Sequence, residues 1–265
     1  MRRNRSPIAW TIAGSDSGGG AGVQADLKVM SAFGVHGCSV VTALTAQNTL
    51  GVQLVESVSE VMLRAQLAAL AEDLPPDSIK TGMLGSASSC KAVADFLETL
   101  PSCPPIVCDP VLKSTSGTDL LDSEALDTLI SRIFPHVAVL TPNLPEAEFL
   151  IGHRIDRVED AADEILAMGV GSVLIKGGHA DGNECSDFWS RGDQCAWLTA
   201  SRIETRHTHG TGCILSAAIA SAIALGQDIP DAVRTAKRFL HDCLLTPANV
   251  GEGHGPMMIG PLKTA

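Results

Sequence analysis

The run His207-Thr208-His209-Gly210-Thr211-Gly212-Cys213 stands directly before Ile214, Leu215, Ala218, Ile219, Ala222 and Ile223, whose spacing predicts a buried helix from about Gly212 to Leu225. Successive backbone N–H groups at a helix start, together with the positive end of the helix dipole, form an anion site. Glycine lets a phosphoryl group come close to the backbone. Gly210, Thr211 and Gly212 are therefore candidate catalytic positions. Cys213 falls in the first turn, where a thiol pKa is commonly lowered from about 8.5. The competing reading of such a lone cysteine is an inert core side chain.

Three further segments place polar groups where predicted strands end: Asp109-Pro110, Thr141-Pro142-Asn143 with Glu146 three residues on, and Lys176-Gly177-Gly178. Open α/β sheets bind ligands outside the carboxyl ends of their strands, so these segments suggest one shared site. Asp109 and Glu146 could hold Mg²⁺, and Lys176 could neutralise phosphate. Asn143 either touches a nucleotide or caps the helix that Asn143-Leu144-Pro145-Glu146 could start. A second glycine cluster, Gly14-Ser15-Asp16-Ser17-Gly18-Gly19-Gly20-Ala21-Gly22, lies between a strand and a helix. It lacks the GK[ST] ending of a phosphate-binding Walker loop. A dinucleotide fingerprint fails as well, because its third glycine would fall on Val23. The cluster is either a ligand-contacting loop, favoured by Asp16 and the glycine amides, or a plain strand-to-helix turn.

These loops need a frame to position them. Short apolar runs at Ile8–Ala13, Cys38–Ala43, Ile79–Met83, Ile106–Asp109, Val137–Leu140 and Ser172–Lys176 alternate with amphipathic stretches near Gln24–Phe33, Glu60–Glu72, Ser88–Leu100, Glu124–Phe134 and Ala161–Met168. That βαβα order predicts an α/β fold with a mostly parallel sheet covered by helices. Ser57 with Glu60, and Asp122 before Leu126, have helix-capping positions. Ser186–Ser190, Cys195–Thr199 and Arg202–Arg206 read as short antiparallel strands at one edge. A last amphipathic helix is expected over Pro230–Leu245. No linker or repeat marks a second domain, so residues 1–265 are expected to form one domain, with 1–6 flexible.

Composition narrows the partners. The net charge of -11, with three Trp, six Phe and no Tyr, disfavours nucleic acid. No apolar run approaches the roughly 18 residues of a membrane span. Eight cysteines without a CxxC pair indicate reduced thiols and a cytoplasmic protein. The histidines have no metal-ligand spacing.

The quoted motifs, together with Thr42-Ala43-Leu44-Thr45-Ala46-Gln47-Asn48-Thr49 and Lys80-Thr81-Gly82-Met83-Leu84-Gly85, resemble the hydroxymethylpyrimidine / phosphomethylpyrimidine kinases of thiamin biosynthesis from about residue 8 to 257. The resemblance implies a three-layer ribokinase-like fold, ATP with Mg²⁺, commonly a homodimer, and two successive phosphorylations of a pyrimidine, to the monophosphate and then the diphosphate. It also implies that Gln47 reads the pyrimidine edge, with Gly14, Asp16, Met83 and Val111 near the same pocket. Lys176 would contact ATP phosphate with Asn143 on the nucleotide side, Asp109 and Glu146 would serve the metal and its water shell, and Gly210 to Cys213 would form the anion hole. Two segments depart from the family pattern, Leu112–Gly117 and Gly253–Met258. A pyridoxal-type kinase is the nearest rival reading, and a noncatalytic pyrimidine or nucleotide sensor is the rival from another class.

Overall fold

The computed structural model describes residues 5–112, 123–177 and 184–262. One nine-stranded sheet organises them. Its strands are β1 (Ile8–Asp16), β2 (His36–Asn48), β3 (Gly51–Ser57), β4 (Ser78–Thr81), β5 (Ile106–Cys108), β6 (Val137–Leu140), β7 (Val173–Ile175), β8 (Glu184–Ser190) and β9 (Cys195–Ser201). They lie in the order β3-β2-β1-β4-β5-β6-β7-β8-β9. The six strands from β2 to β7 in that order run parallel, and β1 sits between β2 and β4, so the chain reverses its direction of travel across the sheet at β1. That reversal is where an open α/β sheet leaves a crevice.

Alternation along the strands builds the two covering layers. Ile8, Trp10 and Ile12 of β1, Ile106 and Cys108 of β5, and Val173 and Ile175 of β7 face one core. The intervening Ala9, Val107 and Leu174 face the other. The first core is closed by α2 (Glu60–Asp73), α3 (Ala87–Thr99), α4 (Ser123–Thr128), α5 (Leu144–Ile151) and α6 (Val158–Leu166). The second is closed by α1 (Gly22–Ala32), α7 (Thr211–Ala224) and α8 (Ile229–Leu244). Helix α7 is buried almost all round because small residues, Ala217, Ala218, Ala220 and Ala222, let it sink between α1 and α8. Ser78 Oγ donates to the Ala220 carbonyl at 2.7 Å and ties α7 to β4.

The parallel centre and the β8–β9 edge agree with the sequence expectation. Several local features differ. Antiparallel pairing occurs at both edges, since β3 folds back on the second half of β2. Its Leu54 and Val55 are exposed, so no burial pattern marks it as a strand. Arg202–Arg206 is not a strand; the chain leaves the sheet after Ser201 and turns towards the second glycine run. The cap of α2 is Ser59, which accepts from the Met62 N–H, and not Ser57, whose backbone is still paired in β3. Asp122 lies outside the described residues. So do residues 1–4 of the N-terminal stretch, whereas Arg5 pairs with Asp77 at 2.9 Å. Among the described residues, no helix is long and apolar enough to cross a membrane.

One ion pair lies wholly inside the fold. Lys80 Nζ of β4 donates to Asp26 Oδ2 of α1 at 2.7 Å, and both side chains are fully buried. Thr11 Oγ1 of β1 donates to the same oxygen at 2.5 Å. Burial works to depress the Lys80 pKa, but the Asp26 carboxylate beside it outweighs this and raises it. Removing one partner of such a pair strands a charge, whereas replacing both with apolar groups does not. Asp26→Asn is therefore expected to lower unfolding stability by about 3–5 kcal/mol, and the Asp26→Leu/Lys80→Met double variant to lose much less. Urea unfolding followed by far-ultraviolet circular dichroism checks both, and equal losses would contradict the assignment.

Candidate active site

The carboxyl ends of β1, β4, β5, β6 and β7 open on the same side of the sheet, and the start of α7 comes to meet them. Gly210, the residue before the helix, has φ +86°, a left-handed conformation open to glycine at little cost. A Cβ there would overlap the Gly20 carbonyl oxygen of the first glycine loop. The two glycine runs are thus in direct contact. At Gly212 an added Cβ would lie 3.0 Å from Asp109 Oδ2 and 3.4 Å from Lys176 Nζ. Absence of a side chain at this position is what brings the helix amides up to the charged groups.

Lys176 follows β7 and is bridged to Asn143 after β6, its N–H donating to the Pro142 carbonyl at 2.8 Å. Its Nζ donates to Asp109 Oδ1 at 3.0 Å and lies 3.9 Å from Glu146 Oε2. The Asp109 and Glu146 carboxylates work against burial and raise the ammonium pKa, so Lys176 stays a cation. Burial pushes the Glu146 carboxyl up, against the opposing pull of Lys176. Asn143 and Glu146 form a reciprocal capping box: Glu146 N–H donates to Asn143 Oδ1, and Asn143 N–H donates to Glu146 Oε2, both at 2.8 Å. The side-chain oxygen of Asn143 therefore starts α5, which is the capping alternative of its sequence reading.

Around the first glycine loop, Gly14 lies against Met83, whose Cε would be 2.5 Å from an added Cβ. Thr42 Oγ1 donates to the Met83 carbonyl at 2.7 Å and fixes that approach. Asp16 is buried, and its carboxylate accepts from the N–H groups of Gly18, Gly20 and Ala21 at 2.8, 3.0 and 2.8 Å. It thereby shapes the loop from within. Val111 has φ +40°, a left-handed conformation that costs a β-branched residue about 1–3 kcal/mol. The next N–H, of Leu112, donates to the Glu146 carboxylate and holds the turn beside Asp109. Lys113–Gly117, Gly178 and His179 lie outside the described residues.

Cys213 departs from its sequence expectation. The thiol is pushed up to about 11, not lowered: burial dominates, Lys80 opposes it, and the Asp26 and Asp109 carboxylates add to it. Desolvation beneath α7 overrides the helix dipole. At neutral pH the resting group is a thiol.

Both glycine runs, Gln47, Met83, Val111, Lys176 and Cys213 line one cleft of about 1420 Å³. This exceeds the roughly 300–1,000 Å³ of a pocket for one small ligand, so the space suits two molecules meeting at the start of α7. His209 and Thr45, to which the sequence gives no site role, also line the cleft. In the sequence, His209 stands out only as a histidine without metal-ligand spacing. The signal available for it was its position one residue before the Gly210-Thr211-Gly212 run.

Comparison with known proteins fits this geometry. Residues 16–258 match the family model described as phosphomethylpyrimidine kinase. A hydroxymethylpyrimidine/phosphomethylpyrimidine kinase of Rhizobium meliloti is 46% identical over 256 residues, covering 94% of this chain and 96% of the relative. A crystal structure of phosphomethylpyrimidine kinase from Clostridium difficile superposes with a TM-score of 0.79 at 40% identity, covering 89% of this chain and 99% of that one. The pyridoxal kinase of Staphylococcus aureus in complex with AMP-PCP and pyridoxal gives a TM-score of 0.87 at 30% identity, covering 97% and 95%. The backbone is shared with both activities, and sequence separates them: this chain, with its ribokinase-like fold, belongs to the phosphomethylpyrimidine kinase family.

Proposed function

We propose that this protein is a bifunctional kinase that phosphorylates 4-amino-5-hydroxymethyl-2-methylpyrimidine to its monophosphate and then the monophosphate to the diphosphate, with ATP as donor, in thiamin biosynthesis. The observation that carries this reading is the meeting of Lys176, Asp109 and Glu146 with the first turn of α7 at Gly212. In the first step the hydroxymethyl oxygen forms a bond to the γ-phosphorus, the bond to the β–γ bridging oxygen breaks, ADP leaves and the hydroxyl proton is lost. In the second step a phosphate oxygen attacks instead, and it is already largely deprotonated because its second pKa is about 6.

The residues divide accordingly. The N–H groups around Gly210, Thr211, Gly212 and Cys213 receive the transferring oxygens. Lys176 compensates their charge, and Asn143 borders the nucleotide. Gln47, Gly14, Asp16, Met83 and Val111 surround the pyrimidine. Asp109 and Glu146 suit Mg²⁺, an ion usually held by one or two carboxylates, waters and substrate phosphates; when bound it would draw charge from the phosphate oxygens. The same reading takes residues 1–265 as one kinase domain in the cytoplasm, acting as a homodimer. Exposed Leu44, Leu50, Leu54, Val61 and Met62 along β2, β3 and the start of α2 offer an apolar surface to a second copy.

Mass spectrometry of the purified protein with MgATP and the pyrimidine alcohol is expected to show both mono- and diphosphate, with pyridoxal a poorer acceptor. Absence of both products would end the proposal, and preference for pyridoxal would move the protein to the rival activity. Lys176→Met is expected to lower kcat by on the order of 10²–10³-fold, as measured in a coupled ADP assay, and also to lower the thermal midpoint, because the buried Asp109 and Glu146 carboxylates lose the cation between them.

The raised thiol of Cys213 has a pH consequence. Three units below a pKa of about 11, roughly one thiol in a thousand is ionised, so proton removal by Cys213 becomes easier as pH rises. The alcohol step should therefore accelerate from pH 7 to 9 without a plateau, while the phosphate step stays flat. Cys213→Ala should slow the alcohol step more than the phosphate step. Equal losses in both would leave Cys213 a shaper of the anion hole only.

A further inference from the structure

His209 joins the two glycine runs to Gln47. Its Nε2 lies 2.9 Å from Asp16 Oδ2 and 3.2 Å from one end of the Gln47 amide. Asp16 is the acceptor of three backbone N–H groups, so its carboxylate is ionised and can only accept from the ring. Burial would raise its pKa, but the hydrogen bonds from His209 and the loop amides lower it. Nε2 therefore carries the proton, whether the ring as a whole is neutral or charged.

A Gln47 N–H facing that nitrogen would set donor against donor. The other end of the amide lies 3.2 Å from Thr45 Oγ1, which is also 3.0 Å from the Ser15 carbonyl oxygen. A carbonyl can only accept, so the single hydroxyl proton of Thr45 goes to Ser15, and Thr45 turns a lone pair towards Gln47. Amide nitrogen and oxygen are nearly identical in shape, and the hydrogen-bond network decides between them. Two independent constraints, at opposite ends of one amide, give the same answer: Gln47 Oε1 towards His209 and the NH₂ group towards Thr45. The Gln47 backbone is clamped too, through contacts of its N–H and carbonyl with Ser17 Oγ at 2.8 and 2.7 Å.

We propose that Asp16, His209 and Thr45 are positioning residues that lock the Gln47 amide in one orientation and thereby determine substrate specificity. This rests on the reading above that Gln47 meets the pyrimidine. Each end of the locked amide keeps one bonding position, an oxygen lone pair and an N–H in fixed order. A glutamine amide reads an amino group beside a ring nitrogen as a two-bond pair, as it does on adenine. With the hydroxymethyl group anchored at the reaction centre, the 4-amino group and N3 satisfy that order. A 4-oxo ring with N3–H presents the reverse, acceptor to acceptor and donor to donor. An amide free to turn would serve both rings, and the locked one serves the first.

The test compares 4-amino-5-hydroxymethyl-2-methylpyrimidine with its 4-oxo analogue as substrates, each with MgATP, by kcat/KM. The unaltered protein is expected to favour the amino compound on the order of 10²-fold or more. His209→Leu should reduce that ratio by about tenfold or more, the scale of one lost hydrogen bond to a charged network. His209→Gln, which keeps an N–H facing Asp16 and Gln47, should restore most of it. Thr45→Val releases the other end of the amide and should also relax the ratio, so the proposal remains testable if His209→Leu does not fold. Ratios in His209→Leu and Thr45→Val within twofold of the unaltered protein would overturn the lock while leaving the kinase reading intact. Failure of the unaltered protein to phosphorylate either ring would remove the kinase reading and the lock together.

Discussion

Close approach of backbone to backbone at the start of α7 is the constraint on which the site depends. The positive φ of Gly210 turns the chain into the helix against the Gly20 carbonyl, and Gly212 leaves room for Asp109 and Lys176. A Cβ at Gly210 would collide with the Gly20 backbone, and one at Gly212 would crowd the Asp109 and Lys176 side chains, which would have to shift. The length of α7 serves the same end. Its alanine-rich surface lets it lie between α1 and α8 on the sheet, so the position of its first turn is set by packing along the whole helix and not by the loop alone.

Charge is arranged around that turn in a way the overall balance of -11 conceals. Two lysines, Lys80 and Lys176, are each paired with carboxylates close to Cys213. Their role differs with depth. Lys80 is sealed in the core with Asp26, whereas Lys176 keeps part of its surface open to the cleft. On the proposed reading, a phosphate oxygen at the helix start would meet a cation already held in place, so little reorganisation would accompany its binding. The same enclosure desolvates the Cys213 sulfur and keeps it protonated.

The likeness to a pyridoxal kinase backbone shows how little the fold says about the acceptor ring. Two glycine loops, a lysine and a buried helix start are general equipment for moving a phosphoryl group. Selection of the ring is left to side chains such as Gln47, which we propose meets the pyrimidine and which lies between His209 and Thr45. Asp16, seen from the sequence as a ligand contact, is in the folded chain a staple for the loop and a partner for His209.

Much of the frame is legible in the sequence because alternation and helical periodicity are local: the six parallel strands, helices α7 and α8, and the two glycine runs follow from neighbours within a few residues. The residue types at the strand ends, Asp109, Glu146 and Lys176, could likewise be read as one site, since a parallel sheet delivers such ends to one edge. Other features depend on partners far along the chain. Strand β3 is made by pairing with β2 and not by burial of its own side chains. The Asp26–Lys80 pair spans 54 positions and the contact between His209 and Asp16 spans 193, separations at which no local pattern exists. The direction of the Cys213 shift was decided in the same way, for a helix start by itself lowers a thiol pKa, and only tertiary packing could bring the sulfur close to the Asp26 and Asp109 carboxylates and strip much of its hydration.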